Sequence, residues 1–332
     1  MAERSNPPVP GASRSVVLPY WLDRPALEAV EIARNASLAG YPALWAGEMV
    51  TFDAFALAAT IARESPEMRV TVGPLAVGVR TPASLALGVA TVSALGGRPA
   101  DLALGASTPL VVSRWHGQPS GDPVGRMREA VTAIRALLAG DRSNFDGEHV
   151  RSRGFRIATD PPRGTRIVVA AFGEKMLELA ANVADKVVVN LVTPAQVAST
   201  RERIDRVARA AGRPSPPLAV WVPVAIDPGP RSWEQIARQL VVYVGAAGYG
   251  EMFAGAGFGN TVAFARSGAH PRDIAAAIPR ELMQAIGAIG NRADVDQRLR
   301  EYAAAGADEL GIVPVTAEDD GGKSVLRELK NS

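Results

Sequence analysis

The chain has 332 residues, 47% of them hydrophobic and 21% charged, an ordinary composition for a globular protein. Thirty-six basic against 34 acidic side chains leave a net charge of +2, which offers no large basic field to nucleic acid or a membrane surface. Zero cysteines exclude disulfides, thiolate metal sites and a Cys nucleophile, and no apolar run approaches the length of a membrane span.

The remaining bulk features narrow the class further. His116, His149 and His270 are the three histidines, and they show neither HxH nor HxxxH spacing, so a His-based metal site is not expected. The first dozen residues are polar and Pro-rich and lack an apolar signal core, so a cytoplasmic protein is expected. The basic side chains are nearly all Arg, with Lys only at 175, 186, 323 and 330, a skew that reflects GC-rich coding and carries no chemistry of its own.

Residues 1–13 read as a disordered tail ahead of a single domain over 14–332. A short strand at 16–18 precedes a helix from Pro25 to about Ala39, with Asp23 placed to cap it and Gly40 and Pro42 placed to stop it. A second strand follows at 43–45, then an Ala-rich helix from Asp53 to Glu64. Residues 69–77 form an apolar, β-branched third strand, followed by a helix from Pro82 to Gly96-Gly97. Strand four is 101–105. Its following loop, 106–122, is long, and a helix over 123–138 comes next. Alternation around Asp146-Gly147 predicts a small hairpin within 144–157. Strand five (166–171), its helix (174–184), strand six (187–190), a helix (194–211), strand seven (218–226) and a helix (233–246) continue the rhythm. Residues 248–279 are rich in Gly and aromatics and interrupt it. A helix at 293–305, a strand at 309–313 and a terminal helix near 322–330 complete the chain.

About eight strand-then-helix units, with near-continuous apolar strands, predict an α/β fold: a (β/α)8 TIM barrel with insertions, the main one at about 248–280 before the last helix–strand unit. In such a barrel the loops after the strands share one face, and that face holds the site. The loops to search are therefore 19–21, 47–52, 75–81, 106–117, 172–175, 190–193, 228–230 and 314–320.

One junction stands out among them. Residues 168–177 (VVAAFGEKML) take a strand through a Gly-containing turn directly into a helix, whose free N–H groups and dipole favour an anion such as phosphate, with Lys175 adding charge. Every strand–helix junction shares something of this pattern. Gly73-Pro74 lies late in strand three, where Pro cannot donate to the ladder, so a bulge, a cis Gly–Pro bond or a plain strand end is expected there. Glu48 follows strand two and could act in acid–base work, cap Thr51 or pair with an Arg. Ser107 and Thr108 follow strand four. Trp115-His116-Gly117 sets a lone His beside an aromatic, as a proton donor near neutral pH or as a structural loop residue. Trp21, Phe52, Trp115, Tyr249, Phe253 and Phe258 offer aromatic walls, or ordinary packing. The GxG spacings in 248–259 neither follow a strand nor open a clear helix, so the dinucleotide fingerprint fails, and GxSxG and Walker patterns do not occur. Asp319-Asp320 reads as a solvated loop.

In order along the chain, 28–48 (EAVEIARNASLAGYPALWAGE), 72–86 (VGPLAVGVRTPASLA), 95–108 (LGGRPADLALGAST), Trp115–His116–Gly117, 168–189 (VVAAFGEKMLELAANVADKVVV) and 293–314 resemble the luciferase-like monooxygenase superfamily in its coenzyme F420-dependent oxidoreductase branch. The resemblance spans nearly everything from 16 to 330. It implies a barrel with an insertion near its end, a homodimer, and a deazaflavin across the strand C-termini; FMN is the alternative cofactor. In F420-using relatives a non-prolyl cis peptide lies behind the ring, at positions matching Gly73-Pro74 here. The phosphate grip falls on Ala171, Phe172, Gly173 and Glu174, with Lys175 adjacent; Ser107 and Thr108 match positions that contact the ring or its side chain. Glu48 matches an acidic residue near the cofactor.

Two departures bear on the substrate. The sugar-phosphate dehydrogenases of this family carry a His directly after that acid, where this chain has Met49. They also carry a Glu in the loop after strand four, where Pro109 or Leu110 stands. Oxidation of glucose 6-phosphate is therefore not expected. Hydride transfer to an unsaturated or carbonyl small-molecule substrate is, with Glu48 and His116 as catalytic candidates and Trp21, Phe52 and Trp115 lining the pocket. An FMN-dependent two-component monooxygenase and a non-catalytic flavin carrier are the alternatives.

Overall fold

The computed structural model describes residues 11–48, 50–160 and 163–330. In chain order the first half runs β1 (Ser13–Val17), α1 (Glu28–Leu38), β2 (Ala43–Ala46), α2 (Ala54–Glu64), β3 (Arg69–Ala76), α3 (Pro82–Gly96), β4 (Asp101–Gly105), a π-helical turn (Leu110–Trp115), α4 (Pro123–Leu138) and the hairpin β5 (Asn144–Asp146) and β6 (Arg151–Arg153). The second half runs β7 (Ile167–Ala170), α5 (Glu174–Val183), β8 (Lys186–Asn190), α6 (Pro194–Ala210), β9 (Leu218–Ile226) and α7 (Pro230–Val244). Then come α8 (Tyr249–Phe253), a second π-helical turn (Ala254–Phe258), α9 (Gly259–Arg266), α10 (Pro271–Ala277), α11 (Arg280–Ile286), β10 (Ala288–Gly290), α12 (Arg292–Ala304), β11 (Glu309–Pro314) and α13 (Lys323–Lys330).

Parallel pairing runs β9–β11–β1–β2–β3–β4–β7–β8 and returns from β8 to β9, so eight strands close a barrel. The alternation of each strand sorts its side chains. Val16, Leu44, Val70, Leu102, Ile167, Val187, Leu218 and Ile312 face outward and pack under the helices in the main core. Val17, Trp45, Ala103, Val168, Val188 and Ala219 face inward and fill the barrel itself. Two tryptophans supply most of that interior volume: Trp45 and Trp221 meet edge to face with ring centroids 5.4 Å apart. A Cβ at Gly311 would stand 2.7 Å from Trp221, so only glycine leaves the ring its space.

Charges seal the N-terminal end. Glu309 accepts hydrogen bonds from Ser15 Oγ (2.7 Å) and Trp45 Nε1 (2.8 Å) and pairs with the buried Lys186. Asp101, with no exposed side-chain surface, pairs with Arg69 (2.5 Å) and Arg166 (2.6 Å). Burial pushes the Asp101 carboxyl up, and the hydrogen bonds from Arg69 and Arg166 outweigh it and hold the group below its usual range.

Several expectations change in detail. Strand one starts at Ser13, inside the expected tail, because Ser13 to Val16 pair with Glu309 to Ile312; residues 1–10 lie outside the described residues. The first helix starts at Glu28 without a side-chain cap, and Asp23 instead accepts from Gln235 Nε2 at 3.3 Å. The stretch after 248 is largely helical, as α8 to α11. β10 was not foreseen, since three residues are too short for an alternation to register. It pairs with Val224 to Ile226, beyond the stretch of β9 that β8 pairs with.

Candidate functional site

The interior of the barrel is closed at one end and open at the other. Trp45, Ala103, Val188 and Ala219 are buried, whereas the inward-facing positions nearer the strand C-termini, Trp221, Ala170, Asn190 and Val313, are half-exposed. The C-terminal mouth is therefore a well with Trp221 in its floor. The backbone around it is unusual. Ser107 (φ 60°), Leu191 (φ 56°) and Asp227 (φ 49°) are the non-glycine residues with left-handed backbone among the described residues, and each sits just past the C-terminal end of a barrel strand. Such conformations cost of order 1–3 kcal/mol each and cluster at functional sites.

On the β3 side, Gly73-Pro74 is a cis peptide, and the β3–β4 register shifts between Val72 and Leu75. Both the bulge and the cis bond expected from the sequence are present. Gly73 has φ 114°, and a Cβ there would lie 2.3 Å from the Ala103 carbonyl oxygen. The position admits glycine alone.

Two strands along, after β7, α5 opens without a side-chain cap: Gly173 is its N-cap, and nothing lies within 4 Å of where a Cβ would be. Its neighbours are treated differently. Asp53 caps α2, Thr81 caps α3, Asp122 caps α4, Thr193 and Gln196 form a capping box on α6, and the Glu318 carboxylate takes Ser232 N–H and Oγ at the start of α7. The amides of the first turn of α5 thus remain free for an anion. Glu174 is turned aside into a pair with Arg203, and Lys175 is exposed.

The remaining sequence candidates separate. Glu48 is anchored by Arg80 (2.6 Å), which also holds Asp53 (2.5 Å) and stacks on Phe55; of the readings open in the sequence, pairing with an Arg is the one observed. Ser107 is exposed, and the Thr108 carbonyl accepts from Val112 N–H to start the π-helical turn. Trp115 (51% exposed) and His116 follow on that turn, at the surface, and the His116 ring has no partner among the described residues. Trp21 is buried, donating from Nε1 to the Pro314 carbonyl (2.9 Å) within a second apolar cluster that includes Leu191, Ile289 and Val315. Phe52 packs against the main core. Met49 lies outside the described residues.

Of a group of tyrosines at the mouth, sequence reasoning named Tyr249 as an aromatic wall and missed Tyr243 and Tyr20. Tyr249 packs on Phe172 (4.7 Å between centroids) and on Tyr243 (4.8 Å), joining the inserted segment to the loop after β7. Its hydroxyl bonds to the Asn190 side chain, and burial pushes its pKa upward. Tyr20 follows β1, and its hydroxyl is buried beside the Gly47 backbone, whose hydrogen bond opposes the upward push of burial on the phenol. A Cβ on Gly47 would lie 3.0 Å from that hydroxyl and 3.4 Å from the Gly73 carbonyl oxygen, so the phenol reaches over β2 toward the β3 break. The loop containing Tyr20 was a candidate by position, but one Tyr beside a Trp carried no distinguishing spacing.

A concavity of about 620 Å³ lined by Arg142, Phe155 and Arg156 lies beside the hairpin, after the C-terminus of α4 and so at the opposite end of the barrel. No His/Asp/Glu cluster suited to a metal ion occurs among the described residues.

An open well at the C-terminal mouth of a closed parallel barrel, with a free helix start on its rim, defines a (β/α)8 enzyme scaffold. Residues 10–309 match the family model for the luciferase-like monooxygenases, and the chain is an enzyme belonging to that family. A 5,10-methylenetetrahydromethanopterin reductase of Archaeoglobus fulgidus is 27% identical over 240 residues, covering 69% of this chain and 72% of the relative. Two solved structures show the same fold. The coenzyme F420-dependent tetrahydromethanopterin reductase of Methanopyrus kandleri superposes with a TM-score of 0.81 at 16% identity, covering 97% of this chain and 98% of that one. The oxygenating constituent of 3,6-diketocamphane monooxygenase from Pseudomonas putida, in complex with FMN, gives 0.68 at 17% identity and 96% coverage of each.

Proposed function

We propose that this protein is a coenzyme F420-dependent oxidoreductase that transfers a hydride between the deazaflavin and an organic substrate at the mouth of the barrel. The observation that carries the reading is the pairing of an open well with the uncapped start of α5. A flat ring bearing a phosphate-linked side chain needs both, and the residues present suit it. The 171–174 turn would hold the phosphate through the amides of Phe172, Gly173 and Glu174, with Lys175 beside them; the Ala171 amide donates to the Val188 carbonyl and serves to place the turn. Gly73-Pro74, Ser107 and Thr108 would border the ring; a side chain at 73 would collide with β4. When bound, the deazaflavin supplies two-electron hydride chemistry at C5.

The chain's own part is to bind, orient and exclude water, and no nucleophilic side chain is required. Glu48, tied to Arg80, acts as a fixed charge at the mouth. His116, on the surface turn after β4, stays in this reading as a proton source brought to the mouth by movement of that turn. Trp21, Phe52 and Trp115 remain the proposed pocket walls. The substrate is a small carbonyl or unsaturated compound. The protein acts in the cytoplasm as a homodimer; the dimer is supported by Leu87 and Leu95, exposed on the uncharged α3.

FMN is the second reading, favoured by the fold it shares with an FMN-bound monooxygenase. Turnover separates the two. The proposal expects oxidation of reduced F420, followed by deazaflavin absorbance, when carbonyl acceptors are added. Oxygen consumption with reduced FMN, and none with F420, would replace it.

A further inference from the structure

The rim of the well and its inner wall differ in charge. Along the rim, Arg80 holds Glu48 and Asp53, Arg203 holds Glu174, Arg24 holds Asp320, and Ser232 takes up Glu318. Lys175 stands exposed beside the free start of α5. Inside, every second residue of β8 faces the barrel axis, Lys186 at the closed end, then Val188, then Asn190 at the mouth. Lys186 is engaged by Glu309, and Val188 belongs to the interior cluster. Asn190 pairs in register with Trp221 and, like it, is half-exposed. Its half-exposed, inward-facing companions are Ala170, Trp221 and Val313, and the indole nitrogen of Trp221 is sealed from water. Asn190 is thus the polar group that this part of the wall offers to a ligand.

The carboxamide is held in one orientation. Its bond to the Tyr249 hydroxyl works against the upward push of burial on that phenol, the effect of a donated N–H. One amide N–H of Asn190 therefore faces Tyr249, which leaves the second N–H and the carbonyl oxygen for another partner. Tyr249 is itself fixed by the rings of Phe172 and Tyr243. Gln196 Nε2 donates to the Met252 carbonyl at 2.8 Å and ties the helix carrying Tyr249 to the start of α6. A phenol and an amide that served only each other would be exchanged for Phe and an apolar residue at little cost. A half-exposed carboxamide with a spare donor and acceptor, on an otherwise apolar wall, is a recognition group.

We infer that Asn190 orients the substrate in the well, meeting its polar group with the carboxamide that Tyr249 holds, and that this substrate is uncharged. The inference rests on the coenzyme reading above and deepens it by naming the acceptor class. That class is a neutral carbonyl compound whose oxygen takes the spare N–H of Asn190 and whose apolar remainder lies against Ala170, Trp221 and Val313. A carboxylate or phosphate at this wall would meet no charged side chain, and an unpaired charge is expensive to take out of water. Asn190 touches the substrate; Tyr249 is a positioning residue that acts through it.

The test uses reduced F420 with 2-cyclohexen-1-one, cyclohexanone and benzaldehyde, each set beside a carboxylate-bearing counterpart: 3-oxocyclohex-1-ene-1-carboxylate, 4-oxocyclohexane-1-carboxylate and 4-formylbenzoate. Wild type should reduce at least one neutral acceptor, with kcat/KM about 50-fold or more above that of its charged counterpart. Asn190→Ala should lower kcat/KM for that acceptor by about tenfold or more. Its F420 affinity should hold within about twofold, which also reports an intact fold. Tyr249→Phe keeps the ring contacts and should lower kcat/KM by about threefold. Added to Asn190→Ala it should change nothing further, because the hydroxyl acts through the amide; a tyrosine with a separate structural role would lower the double variant again.

Wild-type kcat/KM in Asn190→Ala overturns the inference, as does a loss that merely follows weakened F420 binding. Equal use of the neutral and charged acceptors by wild type overturns it too, and so does an F420-loaded wild type that reduces none of the neutral three. Wild type that binds no F420 at all would instead sink the coenzyme reading on which the inference stands.

Discussion

A Cβ on Gly73 would stand 2.3 Å from the carbonyl oxygen of Ala103. Two adjacent barrel strands thus approach each other more closely than any side chain allows, at the point where their register shifts. With φ at 114° as well, Gly73→Ala should destabilise the fold by about 2–5 kcal/mol. Surviving folded protein should bind F420 at least about tenfold more weakly, since the surface behind the ring would be displaced. Denaturant unfolding and a fluorescence titration measure the two effects; wild-type values in both would mean that β3 has no part in the site.

The free start of α5 gives effects of opposite sign. Gly173 already has the extended backbone of an N-cap and open space around its Cα. Gly173→Asp should raise stability by a few tenths of a kcal/mol by supplying the missing cap. The same carboxylate would occupy and repel the phosphate position, weakening F420 binding by about tenfold or more. A stabilised variant with unaltered affinity would move the phosphate elsewhere.

How far the sequence reached can be judged from these same residues. Gly73-Pro74 and the 171–175 turn were legible because Gly, Pro and a strand-to-helix junction carry their geometry locally. The strands of the barrel showed as apolar runs for the same reason. Glu48 and His116 were less legible. Whether an acid meets Arg80, 32 residues away, or whether a His ends at the surface, depends on where loops travel after the strand. Tyr20 was invisible, since the burial of its hydroxyl beside Gly47 is a property of the packed state. The three-residue β10 and the helices α8 to α11 carry their order through contacts with β9 and α7, not through their own periodicity.

Acid should destabilise the closed end of the barrel. The folded pKa of Asp101 is lowered, so the stability it contributes is complete above its unfolded value near 3.8 and is lost as pH falls through the folded value. Asp101→Asn should cost about 3–5 kcal/mol at neutral pH, because Arg69 and Arg166 lose their shared partner. It should also flatten the acid limb of a melting-temperature profile below pH about 4. An unchanged acid limb would assign that transition to other carboxylates.

The outer face of α3 predicts association. Leu87 (45% exposed) and Leu95 (47%) lie on a helix that otherwise holds Pro82, the buried Leu85 and Ala, Val, Gly, Ser and Thr, with no charge to keep it solvated. The paired change Leu87→Glu and Leu95→Glu should convert a dimer to a monomer in sedimentation velocity while leaving the melting temperature within a few degrees, at about 0.5 kcal/mol for surface changes. A wild-type monomer would dispose of the dimer directly.

The central claim concerns the coenzyme, and the most direct measurement is a parallel titration of the purified protein with oxidised F420 and with FMN, followed by calorimetry. Saturable binding of F420 at one site per chain, weakened by Gly173→Asp and much tighter than that of FMN, is the result predicted. Tight binding of FMN with none of F420 would contradict it and make the protein a flavin-dependent member of the same family.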